Sequence, residues 1–142
     1  MPKISLAEME EIAHDLPWVD MLGMKIDEIG EGRARVRLPY KADFLRPGGT
    51  ISGPAMMGLA DYGMYVAVLS AIGRVELAVT TNLSINFLRK PGQADIIGDC
   101  RLIKVGRRLA YGEVLLHSEI EHLDEPVAHV TATYSIPPDR PA

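Results

Sequence analysis

Apolar and polar positions recur along this chain with two different periods, and the changes of period mark out its elements. Leu6, Met9, Ile12 and Ala13 recur at helical spacing. Ser5 precedes them and Glu8 stands three residues after Ser5, the pattern of a capping box. A helix is therefore predicted over about 5–16, ended by Pro17. Met24 to Ile29 is a first strand and leads into the turn Gly30-Glu31-Gly32. In Arg33 to Leu38, arginine alternates with Ala34, Val36 and Leu38, closed by Pro39. Period two with one apolar face means a half-buried strand. From Val75 onward period two returns. Leu77, Val79, Thr81, Leu83, Ile85 and Phe87 fall on one face, and Ala78, Thr80, Asn82, Ser84 and Asn86 on the other. Pro91-Gly92 makes a turn. Asp95 to Val105, Arg107 to Ile120 and Val127 to Ile136 are three more strands, separated by Gly106 and by His122 to Pro126.

Between the two sets of strands the pattern is different. Lys41 to Ile51 is a loop broken by Pro47, Gly48 and Gly49. Gly53 to Ile72 is apolar nearly all round and carries one charge, Asp61. Ser52 or Gly53 serves as its N-cap, Pro54 suits its first turn and Gly73 its stop. A membrane span needs about 20 such residues. This stretch, however, is rich in Gly, Ala and Met, and amphipathic strands follow it, so a buried core helix is expected instead. The order is helix, two strands, one long helix, four strands. Short connections between consecutive strands favour an antiparallel sheet and the α+β class. A helix that is apolar all round must be wrapped. One curled sheet of five to six strands would do so, and a second subunit could cover what the sheet leaves open.

Composition narrows the class further. The 142 residues make one domain, with a frayed tail expected from Pro137 to Ala142. Hydrophobic residues at 47% and charged residues at 24% exclude a disordered chain, a collagen-like repeat and a coiled coil. Fifteen lysines and arginines against nineteen acidic residues leave a net charge of −4, which does not suit nucleic acid or an anionic membrane surface. Residues 1–14 do not read as a secretory signal, because Leu6 to His14 is too acidic for an apolar core region. The single cysteine, Cys100, forms no internal disulfide, which points to a reducing, cytoplasmic compartment. One cysteine and four scattered histidines argue against a structural zinc site.

Asp61 is the most informative residue, the one charge in roughly five turns of apolar helix. An ionised carboxylate buried without a partner is costly. Either Asp61 faces solvent or a partner subunit, or accepts a backbone or tyrosine hydrogen bond, or it works in a dry pocket as base or nucleophile. The helix start, Thr50-Ile51-Ser52-Gly53-Pro54, is the second feature. Free N–H groups at a helix N-terminus favour developing negative charge, and a glycine lets a carbonyl approach the backbone. That is the geometry of an oxyanion hole, and also of a plain loop-to-helix turn. Eight residues separate Gly53 from Asp61, about 12 Å of helix rise, too far for both to act on one bond within one copy. A dimer with antiparallel central helices would set Gly53 of one chain opposite Asp61 of the other.

These residues carry a resemblance. Gly49-Thr50-Ile51-Ser52-Gly53-Pro54-Ala55-Met56-Met57-Gly58-Leu59-Ala60-Asp61 resembles the Gly-x-x-His-Gly-Gly stretch and Leu-Ala-Asp of the hotdog-fold acyl-CoA thioesterases of the phenylacetate-degradation type. Thr80 to Pro91 is similar to that family's first long strand, and Lys104-Val105-Gly106-Arg107-Arg108 to its Gly-Arg hairpin. The resemblance spans about Trp18 to Pro137. It implies a sheet wrapped around one helix and hydrolysis of a CoA thioester. Asp61 would be general base or nucleophile and the Gly53 N–H would polarise the carbonyl. The sites would lie at dimer interfaces, with no metal or redox cofactor. One departure stands out: the family's His, the Asn six residues before it and the second Gly are here Ser52, Arg46 and Pro54. Ser52 can donate a hydrogen bond but does not polarise as an imidazole does.

Other residues are candidates for binding. Tyr65, four residues after Asp61 on the same face, could bond the carboxylate or line an acyl pocket. Met57 and Met64 flank Asp61 and suit either an acyl pocket or core. Ser84 could reach the site from its strand. Arg89, Lys90, Arg107 and Arg108 are expected to cluster at strand ends and turns, and such a basic cluster suits the phosphates of CoA, as it would a solvated turn. His14, His117, His122 and His129 show no metal or triad spacing. The alternatives to a thioesterase are a non-catalytic acyl-CoA-binding module and a dehydratase or hydratase. The latter normally needs a His near the carboxylate, and none lies in this helix or the loop before it. A homodimer is the minimal unit and a homotetramer the expected assembly.

Overall fold

The structure, a computed structural model, describes residues 1–120 and 125–138. His122 and the end of the Pro137–Ala142 tail lie outside the described residues. Chain order begins with helices α1 (Leu6–His14) and α2 (Pro17–Leu22) and strands β1 (Lys25–Gly30) and β2 (Arg33–Leu38). Two short strands, β3 (Leu45–Arg46) and β4 (Thr50–Ile51), lead into the long helix α3 (Gly53–Ile72). Strands β5 (Val79–Phe87), β6 (Ile96–Val105), β7 (Leu109–Ser118) and β8 (Ala128–Ser135) complete it. Six strands form one sheet in the order β1-β2-β6-β7-β8-β5, every neighbouring pair antiparallel.

The expected arrangement is the one observed: an antiparallel sheet curled about one helix. α3 is apolar all round because the sheet and the N-terminal helices cover it nearly all round. Leu59, Ala60, Met64, Val66, Ala67, Val68 and Leu69 are fully buried. Its length and composition would let it cross a membrane, but most of it lies inside the protein. The inner face of the sheet presents Ala34, Val36 and Leu38 from β2, Ile96 and Cys100 from β6, and Ala110, Val114 and Leu116 from β7. The alternating arginines of β2 lie on the outer face. Arg37 there binds Asp27, Asp95 and Glu119 at 2.8–3.0 Å and ties β1 to the β6–β7 end of the sheet. Burial pushes the Cys100 thiol well above its ordinary pKa.

Three local features differ from the pattern reading. The capping box of α1 is present as expected, with Ser5 and Glu8 bonded reciprocally. Pro17, however, both follows α1 and opens α2, because its fixed φ and missing N–H suit a first helical position. Gly23, in the left-handed region at φ 71°, ends α2. The Lys41 to Ile51 loop holds a turn of 3-10 helix and the β3–β4 ladder. The third difference bears on function. In β5 the register shifts between Thr80 and Asn82, so the two faces do not alternate strictly. Thr80 turns inward, and the shift returns Leu83 and Ile85 to the core side. Leu77 and Val79, expected on the apolar inner face, are exposed.

Candidate active site

Asp61 is half-buried on α3, and β5 and β8 each send one hydroxyl to it. Thr80 Oγ1 donates to Asp61 Oδ1 at 2.6 Å. Tyr134 Oη lies 2.8 Å from the same oxygen and 2.9 Å from the Asp61 backbone carbonyl. Thr80 and Tyr134 are direct cross-strand partners in the β5–β8 ladder, so the strand register that joins them also aims both at one atom. The Thr80 distance is that of a charge-assisted O–H···O⁻ bond. Burial, and next the charge of Asp61, push the Tyr134 phenol above its ordinary pKa and keep it a donor. Among the described residues, side-chain hydrogen bonds reach Oδ1 only.

The other end of the site is the start of α3. The β3–β4 ladder and the bond from Ser52 N–H to the Phe44 carbonyl, 2.8 Å, hold the loop in place. Ser52 is the N-cap, yet its hydroxyl makes no capping bond, and Pro54 has no N–H to offer. The first N–H groups of the helix therefore keep the positive end of the dipole without a side-chain acceptor. Gly53 has no need of a positive φ. A Cβ there would stand 2.9 Å from Phe87 Cζ, so the glycine leaves room beneath that ring. From this end, Pro54, Met57, Gly58 and Asp61 follow at three- and four-residue spacing. They form the less buried stripe of the helix, with Pro54 and Met57 exposed. Gly53 and Asp61 thus bound one open strip along α3.

The remaining candidates fall in different places. Tyr65 does not reach the carboxylate. Its hydroxyl donates to the Glu76 carbonyl at 3.0 Å, and its ring packs on Tyr134, centroids 6.3 Å apart. Met57 shares the open strip, whereas Met64 is fully buried against Gly112 of β7. Ser84 is exposed opposite Thr131 and does not join Asp61. Arg107 and Arg108 lie in the β6–β7 turn, at the end of the sheet where Val79 and Leu109 both face Ser135. That is the Asp61 end. Arg89 and Lys90 follow Phe87 at the opposite end. Arg89 is held there by Glu125 and by the Pro126 carbonyl.

The four basic residues are thus two pairs rather than one cluster. His129 bonds Glu113, 2.9 Å away, on the outer face of the sheet. Thr80 and Tyr134 were not singled out in the sequence, yet a signal existed. Tyr134 falls on the inner face of β8 in line with Ala128, Val130 and Ala132, and a buried phenol normally has a partner.

A recess of about 340 Å³ on the outer face is the rival location, lined by Arg33, Arg35, Asp99, Arg101 and Glu113 among others. Its charges are mostly satisfied within the protein. Arg35 binds Asp99 and Arg101 binds Glu113. Hydrogen bonds from His129 and then Arg101 hold the Glu113 carboxyl below its usual range.

Known proteins bear on this geometry. Residues 48–124, which run from the loop before α3 into the β7–β8 connection, match the model of the thioesterase superfamily. A crystal structure of a candidate thioesterase from Silicibacter sp. TM1040 is 43% identical, with a TM-score of 0.84, over 97% of this chain and 95% of that one. A mutant structure of the phenylacetic acid degradation protein PaaI from Thermus thermophilus is 25% identical, with a TM-score of 0.74, over 85% of this chain and 99% of that one. A candidate esterase of Saccharolobus solfataricus is 25% identical over 80% of this chain and 75% of its own length.

Proposed function

The chain belongs to the thioesterase superfamily, and on that premise we propose that it hydrolyses acyl-CoA thioesters to the free acid and CoA, at sites completed by a second copy of itself. One observation carries the reading. A carboxylate fixed by two hydroxyls stands at one end of an open helical strip, and a helix N-terminus with a glycine and no side-chain capping bond stands at the other. As general base, Asp61 takes a proton from water, and the oxygen of that water bonds to the thioester carbon. The carbonyl oxygen gains negative charge, which the Gly53 N–H stabilises. The C–S bond then breaks and the CoA sulfur leaves, taking up a proton. As nucleophile, Asp61 would attack the same carbon, the C–S bond would break with release of the CoA thiolate, and water would hydrolyse the mixed anhydride to the free acid and restore the Asp61 carboxylate. About 12 Å of helix separates the two groups, so a partner supplies one of them. Among the described residues β5 ends the sheet with an unpaired edge beside the strip, which suits antiparallel association through that side. A tetramer of two such dimers is compatible with this reading.

A thiol-release assay over aliphatic and aromatic CoA esters tests the proposal. Release of CoA from at least one class is expected. No release from any sinks the hydrolase reading, and binding without turnover favours an acyl-CoA-binding module.

The basic turns give a second prediction. In an antiparallel dimer, the Arg107–Arg108 turn of one copy and the Arg89–Lys90 end of the other approach the same site, where they suit the CoA phosphates. Replacing Arg107 and Arg108 together by Ala should raise KM about fivefold, as expected for two exposed ion pairs, and leave kcat within twofold. Such contacts act equally in ground and transition states. A large loss of kcat at unchanged KM would contradict this role.

A further inference from the structure

We propose that Tyr134 is a positioning residue that, together with Thr80, decides which oxygen of Asp61 reacts: Oδ1 is held and Oδ2 is left for water or the thioester carbon. This deepens the proposed function and rests on it. A carboxylate on a short side chain is a broad, nearly two-fold rotor, and nothing intrinsic distinguishes its two oxygens. Here two hydroxyls from two strands converge on one of them, at 2.6 and 2.8 Å. The lone pairs of that oxygen are engaged by donors, so a proton drawn from water goes to the other.

The supporting groups are arranged for this. Tyr134 is 2% exposed, and its one hydroxyl hydrogen is shared between Asp61 Oδ1 and the Asp61 carbonyl. The phenol is thereby tied to the backbone of α3 as well as to the carboxylate. Tyr65, one turn further along α3, packs against the Tyr134 ring at an interplanar angle of 36° and is anchored in turn on the Glu76 carbonyl. The register shift in β5 supplies the second donor, since strict alternation would have turned Thr80 away. A purely structural partner for a buried tyrosine needs one acceptor. Two donors from paired strands on a single carboxylate oxygen fix an orientation.

The test compares Tyr134→Phe, Thr80→Val and Thr80→Ser by steady-state kinetics and by the ¹³C resonance of the Asp61 carboxyl carbon, identified by its absence in Asp61→Asn. Tyr134→Phe and Thr80→Val are each expected to lower kcat by about 10- to 100-fold, the cost of a misplaced reacting group, with KM within twofold. Thr80→Ser should keep most of the rate. The Asp61 resonance should move in Tyr134→Phe and in Thr80→Val. An unchanged kcat in Tyr134→Phe, or Thr80→Ser no better than Thr80→Val, overturns the proposal. Should the wild type release no thiol, the hydrolase reading falls while the resonance still decides the hold on Asp61. An unmoved signal overturns that hold, and a moved one sustains it.

Discussion

Asp61→Asn is expected to lower kcat/KM for thioester hydrolysis by about 10³-fold, within the range for removal of a general base, while leaving the fold intact. Asparagine matches the aspartate in size, and its carbonyl oxygen can still accept from Thr80 and Tyr134. The amide nitrogen then falls where the reacting oxygen was, and it neither takes a proton nor attacks carbon. Helix N-terminal polarisation at Gly53 survives, so a small residual rate is expected. Asp61→Ala is the poorer probe. It strands the Thr80 hydroxyl without its acceptor and leaves Tyr134 only the backbone carbonyl of residue 61, and a buried unsatisfied polar group costs about 1–3 kcal/mol. Activity and thermal unfolding measured together separate these cases. Asp61→Asn should unfold within a few degrees of wild type, and near-full activity in that variant would remove Asp61 from the mechanism.

The frame was legible in the sequence wherever the pattern is local. Arg33 to Leu38 reads as a strand because each arginine alternates with an apolar residue, and it is β2 with those bounds. Gly53 to Ile72 reads as a helix because Ser52, Pro54 and Gly73 mark its ends, and the cap and stop are Ser52 and Gly73. α2 was hidden because six residues are too few to show a period. The face of Thr80 was hidden for another reason. A register shift is a property of two strands, set where β5 meets β8, and strict alternation within β5 points Thr80 the wrong way. Asp61 and Gly53 stood out as a lone charge and a glycine at a helix start. What holds Asp61 did not, because Tyr134 is 73 residues away along the chain. The same limit applies to the pairing of Gly53 with Asp61, which needs a second copy.

The second large effect concerns the crossing of α3 over the sheet, two residues beyond Asp61. Gly63→Ala is expected to destabilise the protein by about 3 kcal/mol, the upper part of the usual range for overpacking. For a domain of this size that lowers Tm by about 10 °C. A Cβ on Gly63 would run into Cys100 Sγ and stand 2.9 Å from Val36 Cγ2. Cys100 is 4% exposed and Val36 fully buried, both on central strands, so neither side chain has solvent to retreat into. The helix must lift instead, and lifting it draws Asp61 away from Thr80 and Tyr134, which belong to the sheet. Activity should therefore fall along with stability. Removing the obstacle tests the cause. In the double variant Gly63→Ala with Cys100→Ala, the new methyl takes roughly the place of the lost sulfur, and at least half of the Tm loss should return. Neighbouring substitutions of this kind couple rather than add. A double variant no more stable than Gly63→Ala alone would show that the helix–sheet contact at Cys100 does not set the height of α3.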